Sequence, residues 1–215
     1  MKDYSNYHGV NSKDKIMHDG NILLDYHLQH SLEAYDVVIG DVSDRVIIQT
    51  TTNDSTGEKR SIICRPNVID RGMIVQQVDK SWLVISLPIS NGIYDKATLQ
   101  LLNASISIET EPVVTQFDKF GNPLSSSEPV VQSFVCIADK SLVYGSADLD
   151  NAVNLPDNKI KVIIPYTTEQ FNEFTLYDEL YYVRDTDLTQ VVDGKGLITI
   201  TGERKVDWLC LNMSI

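Results

Sequence analysis

Three aspartates near the end of the chain have the type and spacing that could support chemistry. Asp185 and Asp187 are two residues apart, so on a strand they face the same side, and Asp193 follows in a stretch without lysine or arginine. Paired carboxylates can carry out acid–base reactions. The sequence has no histidine after residue 30 to act with them, so we interpret them as solvated turn residues.

Histidines offer a second kind of chemistry, a metal site. His27 and His30 are three residues apart and therefore share a helix face. Zinc needs a third and a fourth ligand at short spacing, and no cysteine is nearby. The pattern favours solvated or packing histidines, and we expect neither a metal nor any other cofactor.

Two further motifs are incomplete. Gly194-Lys195-Gly196 resembles part of a phosphate loop, but Gly196 and Thr189 stand where that loop requires a hydroxyl residue and a glycine. Asp148-Leu149-Asp150-Asn151 begins like a calcium loop that the following residues do not complete. The sequence also contains no G-x-S-x-G elbow and no H-E-x-x-H motif. We therefore expect a structural or interaction protein and not an enzyme.

The N-terminal region, residues 1–35, is expected to form an arm followed by a helix. Ser12 is a suitable N-cap. Four apolar residues then recur at a spacing typical of an amphipathic helix, namely Ile16, Leu24, Leu28 and Leu32. Asp19-Gly20-Asn21 weakens the middle of this pattern, so it predicts either one helix or two short ones.

From Asp36 the apolar period changes from 3.6 to 2, which is typical of strands. We expect a first β module over residues 36–110 and a second over residues 133–215, each a small antiparallel barrel or sandwich. Residues 111–132 contain prolines and a Ser-Ser-Ser run and are interpreted as a linker or a projecting hairpin, with the hairpin favoured. The fold class is therefore mainly β, with an N-terminal helical segment before two antiparallel β modules.

The two modules look related. Trp82 lies in the apolar run Trp82-Leu83-Val84-Ile85 and is expected to be a core residue. Placing Tyr181 on Trp82 aligns Lys195 with Lys96 and Ile198 with Leu99 without a gap. This alignment suggests two modules of similar design, although any two antiparallel ribbons share such features.

Composition argues against several classes of function. The net charge is −12 and no basic run is present, so the chain is not expected to grip DNA phosphates, although DNA could pass a like-charged wall. No apolar run approaches the ~20 residues that cross a bilayer, and the polar first residues do not resemble a signal peptide. The three cysteines are predicted to be reduced and buried: Cys64, Cys136 and Cys210.

Several turn and core motifs together resemble neck proteins of tailed phages and prophages of Firmicutes, the head–tail connector or head-closure (stopper) components. The resemblance covers most of residues 12–202. In the first module it is carried by Ser81-Trp82-Leu83-Val84-Ile85, Asn91-Gly92-Ile93-Tyr94-Asp95-Lys96 and Leu99-Gln100-Leu101-Leu102-Asn103. In the second it is carried by Asn154-Leu155-Pro156-Asp157, Ile164-Pro165-Tyr166-Thr167 and Asp193-Gly194-Lys195-Gly196-Leu197.

The resemblance implies a structural virion protein without enzymatic activity or cofactor. It would form a homo-oligomeric ring in the neck, between portal or adaptor and tail, that closes or connects the DNA channel. Its partners would be portal, adaptor and tail terminator proteins. DNA would pass without sequence-specific binding, and no membrane would be involved. The protein would be made in the host bacterial cytoplasm. The alternative is a tail or baseplate β module that binds carbohydrate or another tail protein.

Two groups of residues are candidates for contacts in such a ring. Because a ring of acidic chains would repel DNA from every side, the loop carrying Asp185, Asp187 and Asp193 is a candidate lining of the channel. The N-terminal arm and the 111–132 segment have no evident core of their own. Their aromatic residues are candidate oligomer contacts: Tyr4, Tyr7, Phe117 and Phe120.

Overall fold

The computed structural model describes residues 11–50, 58–110, 114–117, 119–120, 123–126, 130–139, 158–170 and 172–205. Helix α1 spans Ser12–His30 without a break at Gly20. Asn11, not Ser12, is its N-cap, because the Asn11 side chain accepts the N–H of Asp14 at 3.0 Å. The N-cap therefore lies one residue earlier than expected, and the helix ends before Leu32.

Sixteen strands follow in the described residues. The first seven are β1 (Ala34–Ile39), β2 (Val42–Thr50), β3 (Lys59–Cys64), β4 (Ile74–Gln77), β5 (Lys80–Val84), β6 (Ile89–Ser90) and β7 (Asp95–Leu101). The remaining nine are β8 (Ala104–Thr110), β9 (Val114–Phe117), β10 (Pro123–Ser126), β11 (Val130–Asp139), β12 (Lys159–Pro165), β13 (Glu173–Leu176), β14 (Glu179–Asp187), β15 (Val191–Val192) and β16 (Lys195–Arg204).

The strands form two antiparallel barrels, which confirms the expected fold class. In barrel 1 the order is β3-β2-β1-β4-β5-β7, and β3 pairs with β7 to close the ring, while the short β6 adds to β7. In barrel 2 the order is β12-β11-β8-β13-β14-β16, closed by β12 with β16, while β15 adds to β16. Numbered within its own barrel, each strand has the same neighbours, so the two topologies are identical.

The boundary between the two compact units lies between Leu102 and Asn103, which corrects the expected module limits. The sequence predicts residues 104–110 in the first module, but as strand β8 they pair with β11 from Ala104 to Thr110. Asn103 already belongs to the second unit, because its side-chain amide bonds both backbone groups of Ala138 at 2.8–3.0 Å. Residues 111–132 are therefore an insertion within the second unit and not a connection between units.

A hairpin does form inside that insertion. Strands β9 and β10 pair with each other, with register shifts, in a separate two-stranded sheet. The base of the excursion is held by β8 and β11, where Thr110 faces Val130. The structure thus has the hairpin alternative, inserted between two neighbouring strands of barrel 2.

Residue-by-residue register agrees around both barrels. Starting from the pair Val75–Trp82 and its counterpart Phe174–Tyr181, the registers can be followed from strand to strand. In barrel 1 the successive pairs are Val38–Gln76, Tyr35–Val46, Ile48–Ile62, Ile62–Ala97 and Val84–Leu99. Their counterparts in barrel 2, in the same order, are Ser107–Thr175, Ala104–Cys136, Ala138–Val162, Val162–Ile200 and Val183–Gly202. The last pair returns to the strands of the first, so the circuit closes.

The register confirms one half of the sequence alignment and corrects the other. Tyr181 does stand where Trp82 stands. Leu99, however, corresponds to Gly202 and not to Ile198. Leu99 pairs with Val84, two residues after Trp82, and Gly202 pairs with Val183, two residues after Tyr181. The ungapped alignment failed because β14 is nine residues long, whereas its counterpart β5 has five residues.

Each barrel has its own apolar interior. Barrel 1 is filled from β1–β5 and β7, and Trp82 is 2% exposed, which confirms it as a core residue. Barrel 2 is filled from β8 and β11–β14 and β16, with Phe174 and Tyr181 at its centre. Cys64 and Cys136 are buried, unpaired thiols as predicted, while Cys210 lies outside the described residues.

Candidate functional site

The aspartates singled out from the sequence do not form one loop. Asp185 and Asp187 belong to β14, where they face Thr201 and Thr199 of β16, so the loop assignment is corrected to the end of a strand. Both side chains are exposed on the outside of barrel 2. Asp193 lies apart in the turn between β15 and β16 with φ 49°. The strand therefore brings the first two together on one face and leaves the third on another hairpin.

Asp187 has the best-defined surroundings of the three. The side chain and the backbone N–H of Thr189 donate to its carboxylate, the latter at 2.8 Å, and hold the pKa of Asp187 below its usual value. The positive charge of Lys161 adds to that effect. A carboxylate held ionised at the surface is suited to electrostatic repulsion or ion pairing, not to proton transfer.

The glycine-rich stretch is a tight turn, as the sequence indicated. Gly194 and Gly196 both have positive φ, 73° and 131°. A Cβ on Gly196 would collide with the backbone of Gln190, so only glycine fits there. The stretch reverses the chain between β15 and β16 and does not open a helix, so it lacks the N-terminal amides that bind phosphate.

The histidines of α1 lie on its exposed surface. His18, His27 and His30 are exposed, and the Tyr26 ring lies 4.5 Å from the ring of His30. Within the described ranges no three His, Cys, Asp or Glu side chains are grouped as a metal site would require. In the same ranges no helix has the length and apolar character to cross a membrane.

Helix α1 is fixed on the outer wall of barrel 1. Its buried side chains Leu24 and Leu28 pack on Ile47 of β2. Gly20 provides close approach, because a side chain there would meet Ile93. Arg65 joins the helix to the barrel, with its guanidinium 2.9 Å from Asp25 of α1 and 3.0 Å from Asp44 of β2. The helix is therefore a rigid part of the first unit.

The solvent-facing side of α1 also has apolar side chains, which lie among polar ones. Ile16, Ile22, Leu23 and Tyr26 are 57–64% exposed, and we call these four residues the outer α1 face. An unpaired apolar patch on a soluble surface is typical of a contact with another macromolecule. The sequence pattern missed this face by assigning Ile16 and Leu32 to the buried stripe, yet both are exposed. The signal was present, since the helix has more apolar residues than one buried stripe needs.

Other candidate contacts are distributed over the chain. Phe120, at the turn between β9 and β10, is 90% exposed, and its role as an oligomer contact stays a prediction. Tyr4 and Tyr7 lie outside the described residues, and the side chain of Phe117 does too, although its backbone belongs to β9. Further exposed apolar side chains lie at strand ends and turns: Val42, Val78, Leu87, Ile89, Leu188 and Val192.

A cleft of about 640 Å³ opens in barrel 2 where β8 and β13 diverge after the pair Ser107–Thr175. Its lining contains four carboxylates and no basic side chain: Glu109, Glu169, Glu173 and Asp178. A second cavity of about 610 Å³ lies at the end of barrel 1 beside Trp82. Sugar binding needs an accessible aromatic face. Trp82 is buried and donates its indole N–H to Gln77 at 3.2 Å, so the accessible aromatic side chain of this lining is Tyr35, which is 38% exposed.

Comparison with known proteins follows the two-barrel division. Residues 6–101 match the family model described as the YomX N-terminal domain, and residues 93–203 match the YomX C-terminal domain. The chain is 32% identical over 215 residues to the SPbeta prophage-derived protein YomX of Bacillus subtilis strain 168, covering 96% of this chain and 98% of that one. No solved structure matches the chain. The chain thus belongs to the YomX family, with one of the two family domains for each barrel.

Proposed function

We propose that this chain is a structural subunit of the phage neck, forming a ring between portal or adaptor and tail around the DNA channel. Its likeness over the full length to a prophage-derived protein supports a phage origin. Two barrels with buried apolar cores suit a building block better than a catalyst. The resemblance of the turn and core motifs to neck proteins favours the neck over other parts of the particle.

The observation that carries the proposal is the outer α1 face. Packing of Leu24 and Leu28 and the Arg65 ion pairs hold the helix still, so the exposed face is presented without further ordering. A preordered apolar surface loses little conformational entropy on binding. In a ring this face would be covered by a neighbouring subunit or by a second neck protein.

The charge of the chain supports passage of DNA. A net charge of −12 per subunit is multiplied by the copies in a ring, and the field in the bore repels the duplex from every side. We place Asp185, Asp187 and Asp193 at the bore as part of this proposal. Replacing all three by lysine should slow DNA ejection while particles assemble normally; ejection at the wild-type rate would place these residues elsewhere.

The ring itself is tested by the outer α1 face. Leu23→Ser with Tyr26→Ser should leave the melting temperature unchanged, because both side chains are exposed, and should abolish incorporation into particles. Val78→Ser, at a more exposed valine on the turn between β4 and β5, is the control and should be incorporated. We expect the isolated protein to be mainly monomeric and to assemble on its partner.

Localisation decides between the neck and other parts of the particle. Labelled antibody or a particle reconstruction should find the protein between head and tail. Its presence at the distal end of the tail, or its absence from purified particles, would contradict the proposal.

A further inference from the structure

Beyond Ser107, one edge of strand β8 has no partner strand among the described residues. Its other edge pairs with β11 as far as Thr110, but toward β13 the pairing consists of the single pair Ser107–Thr175. In barrel 1 the equivalent contact continues with a second pair, Ile39–Val75. Residues 108–110 therefore present an unpaired strand edge beside the cleft of about 640 Å³. We call this cleft, together with that edge, the β8 cleft.

Like charge explains why the pairing of β8 with β13 stops. Continued in the register of Ser107–Thr175, the two strands would bring Glu109 directly opposite Glu173. Like charges at such a position destabilise a sheet. Strand β8 instead stays with β11 through the pair Glu109–Val131, and the wall of the barrel opens on its other side.

The β8 cleft is acidic. Its four carboxylates are all exposed, and within the described ranges none of them forms an ion pair. No lysine or arginine belongs to its described lining. The four carboxylates belong to Glu109, Glu169, Glu173 and Asp178. A cationic partner would therefore meet several negative charges without displacing a positive one.

A single metal ion does not fit this arrangement, because in the described part of the chain no three such side chains are grouped closely enough to hold one. The strand edge points to a different partner. Unpaired backbone N–H and C=O groups accept another extended chain, and residues 108–110 offer a ladder of about 10 Å. Alternate side chains of an added strand face opposite sides.

We propose that the β8 cleft binds an extended, lysine- or arginine-containing segment of a partner protein, which adds to the free edge of β8. Its cationic side chains lie on the outer face, beside Glu109 and Glu173. Its intervening apolar side chains lie on the inner face, beside the buried Ile108 and Phe174. The segment thus separates the two carboxylates with positive charge and completes the interrupted ladder.

The first test uses the isolated full chain and a labelled peptide of about six residues, the usual length of a strand, that alternates lysine and valine. Fluorescence anisotropy at low salt should show saturable binding. A fully N-methylated peptide of the same sequence keeps the charges but has no backbone donors, and it should bind more weakly. A peptide that alternates glutamate and valine should not bind. The assay needs no phage particle, so its outcome is separate from that of the neck proposal.

Variants of the cleft sharpen this test. Glu109→Gln with Glu173→Gln should weaken binding of the lysine peptide by about tenfold, through the loss of two exposed ion pairs. Asp19→Asn with Asp41→Asn removes two equally exposed charges from the first unit and should leave binding unchanged. Glu173→Lys should abolish binding, because the new charge attracts Glu109 and favours direct pairing of β8 with β13.

Amide hydrogen exchange locates the bound peptide. Saturating lysine peptide should slow exchange in residues 108–110 and leave β1 of barrel 1 unchanged. Absence of binding, equal binding of the N-methylated or the glutamate peptide, or protection confined to other strands would overturn the proposal. Self-association of the full chain that is lost in the double glutamine variant would assign the edge to a second copy of this chain instead.

Discussion

The two barrels share strand order and register, yet they fill one corner of the core in opposite ways. In barrel 1 the β7 position is the buried Leu99 and the β4 position is the small Val75. In barrel 2 the corresponding residues are Gly202 and the large Phe174. A Cβ on Gly202 would come within 2.6 Å of the Phe174 ring, so the ring occupies the space that Leu99 fills in barrel 1.

The comparison shows that one pattern of backbone pairing is compatible with different distributions of side-chain volume among the strands. Close packing requires the sum of the volumes to be kept, but it does not dictate which strand supplies the bulk. Both barrels have a large aromatic side chain at the next position of this corner, Trp82 in barrel 1 and Tyr181 in barrel 2. The polar atom of each side chain has a hydrogen-bond partner. Trp82 donates to Gln77 at 3.2 Å, and the Tyr181 hydroxyl donates to Glu179 at 2.8 Å.

The largest expected effect comes from removing the shared aromatic position. Trp82→Ala should destabilise barrel 1 by about 3–5 kcal/mol, the usual range for truncating a large buried aromatic. Tyr181→Ala should act comparably on barrel 2. Chemical denaturation would measure each loss of stability, and amide hydrogen exchange would show in which barrel the loss occurs. An unchanged unfolding midpoint for Trp82→Ala would mean that the indole is not a core group.

The complementary corner gives the next effect. Gly202→Leu should destabilise barrel 2 by about 1–3 kcal/mol through overpacking against Phe174. Adding Phe174→Val recreates the barrel 1 arrangement and should recover part of the loss. A double-mutant cycle measures that coupling; additive effects of the two substitutions would show that the two positions do not share one space.

Alkaline pH should weaken both barrels, because each contains one buried thiol. Burial raises the pKa of Cys64 and of Cys136 to about 12 from the ordinary value of 9.0. Raised values mean that the native state keeps its protons longer, so stability is complete below pH 9 and falls as pH rises from 9 towards 12. The slope is about 1.4 kcal/mol per pH unit for each thiol. Unfolding of Cys64→Ala and Cys136→Ala across this range should show shallower slopes; slopes equal to wild type would rule out the thiols as the cause.

The smallest effect concerns a feature that only barrel 1 has in the described residues, a clamped helix. Arg65→Gln should cost no more than about 1 kcal/mol, because both ion pairs are partly exposed, and should speed hydrogen exchange in α1. Arg184→Gln, which removes a similar surface pair with Glu203 in barrel 2, is the control and should leave α1 unchanged. Equal exchange of α1 in both variants would show that Leu24 and Leu28 hold the helix without help from Arg65.

Local patterns in the sequence predicted the helix, the strands and the Trp82 core because these depend on neighbours along the chain. The division at Leu102 was missed because β7 and β8 follow each other without a linker, and only long-range pairing assigns them to different barrels. Gly20 was interpreted as a weak point, whereas its value lies in the close approach of Ile93. The three aspartates were grouped because they are close in sequence. In the structure Asp185 and Asp187 lie at the end of a strand, whereas Asp193 lies in a separate turn.

The corner between the first two strands of each barrel has a practical consequence. Barrel 1 turns there in two residues, Gly40 and Asp41, after the pair Ile39–Val42. Barrel 2 inserts the β9–β10 hairpin after the equivalent pair Ile108–Gln132 and still closes with the same register. Since the entropy of closing a loop rises slowly with its length, this corner is a natural port for a peptide tag. A tag inserted at Gly40 would allow an antibody to bind barrel 1 while leaving the pairing of its strands in place.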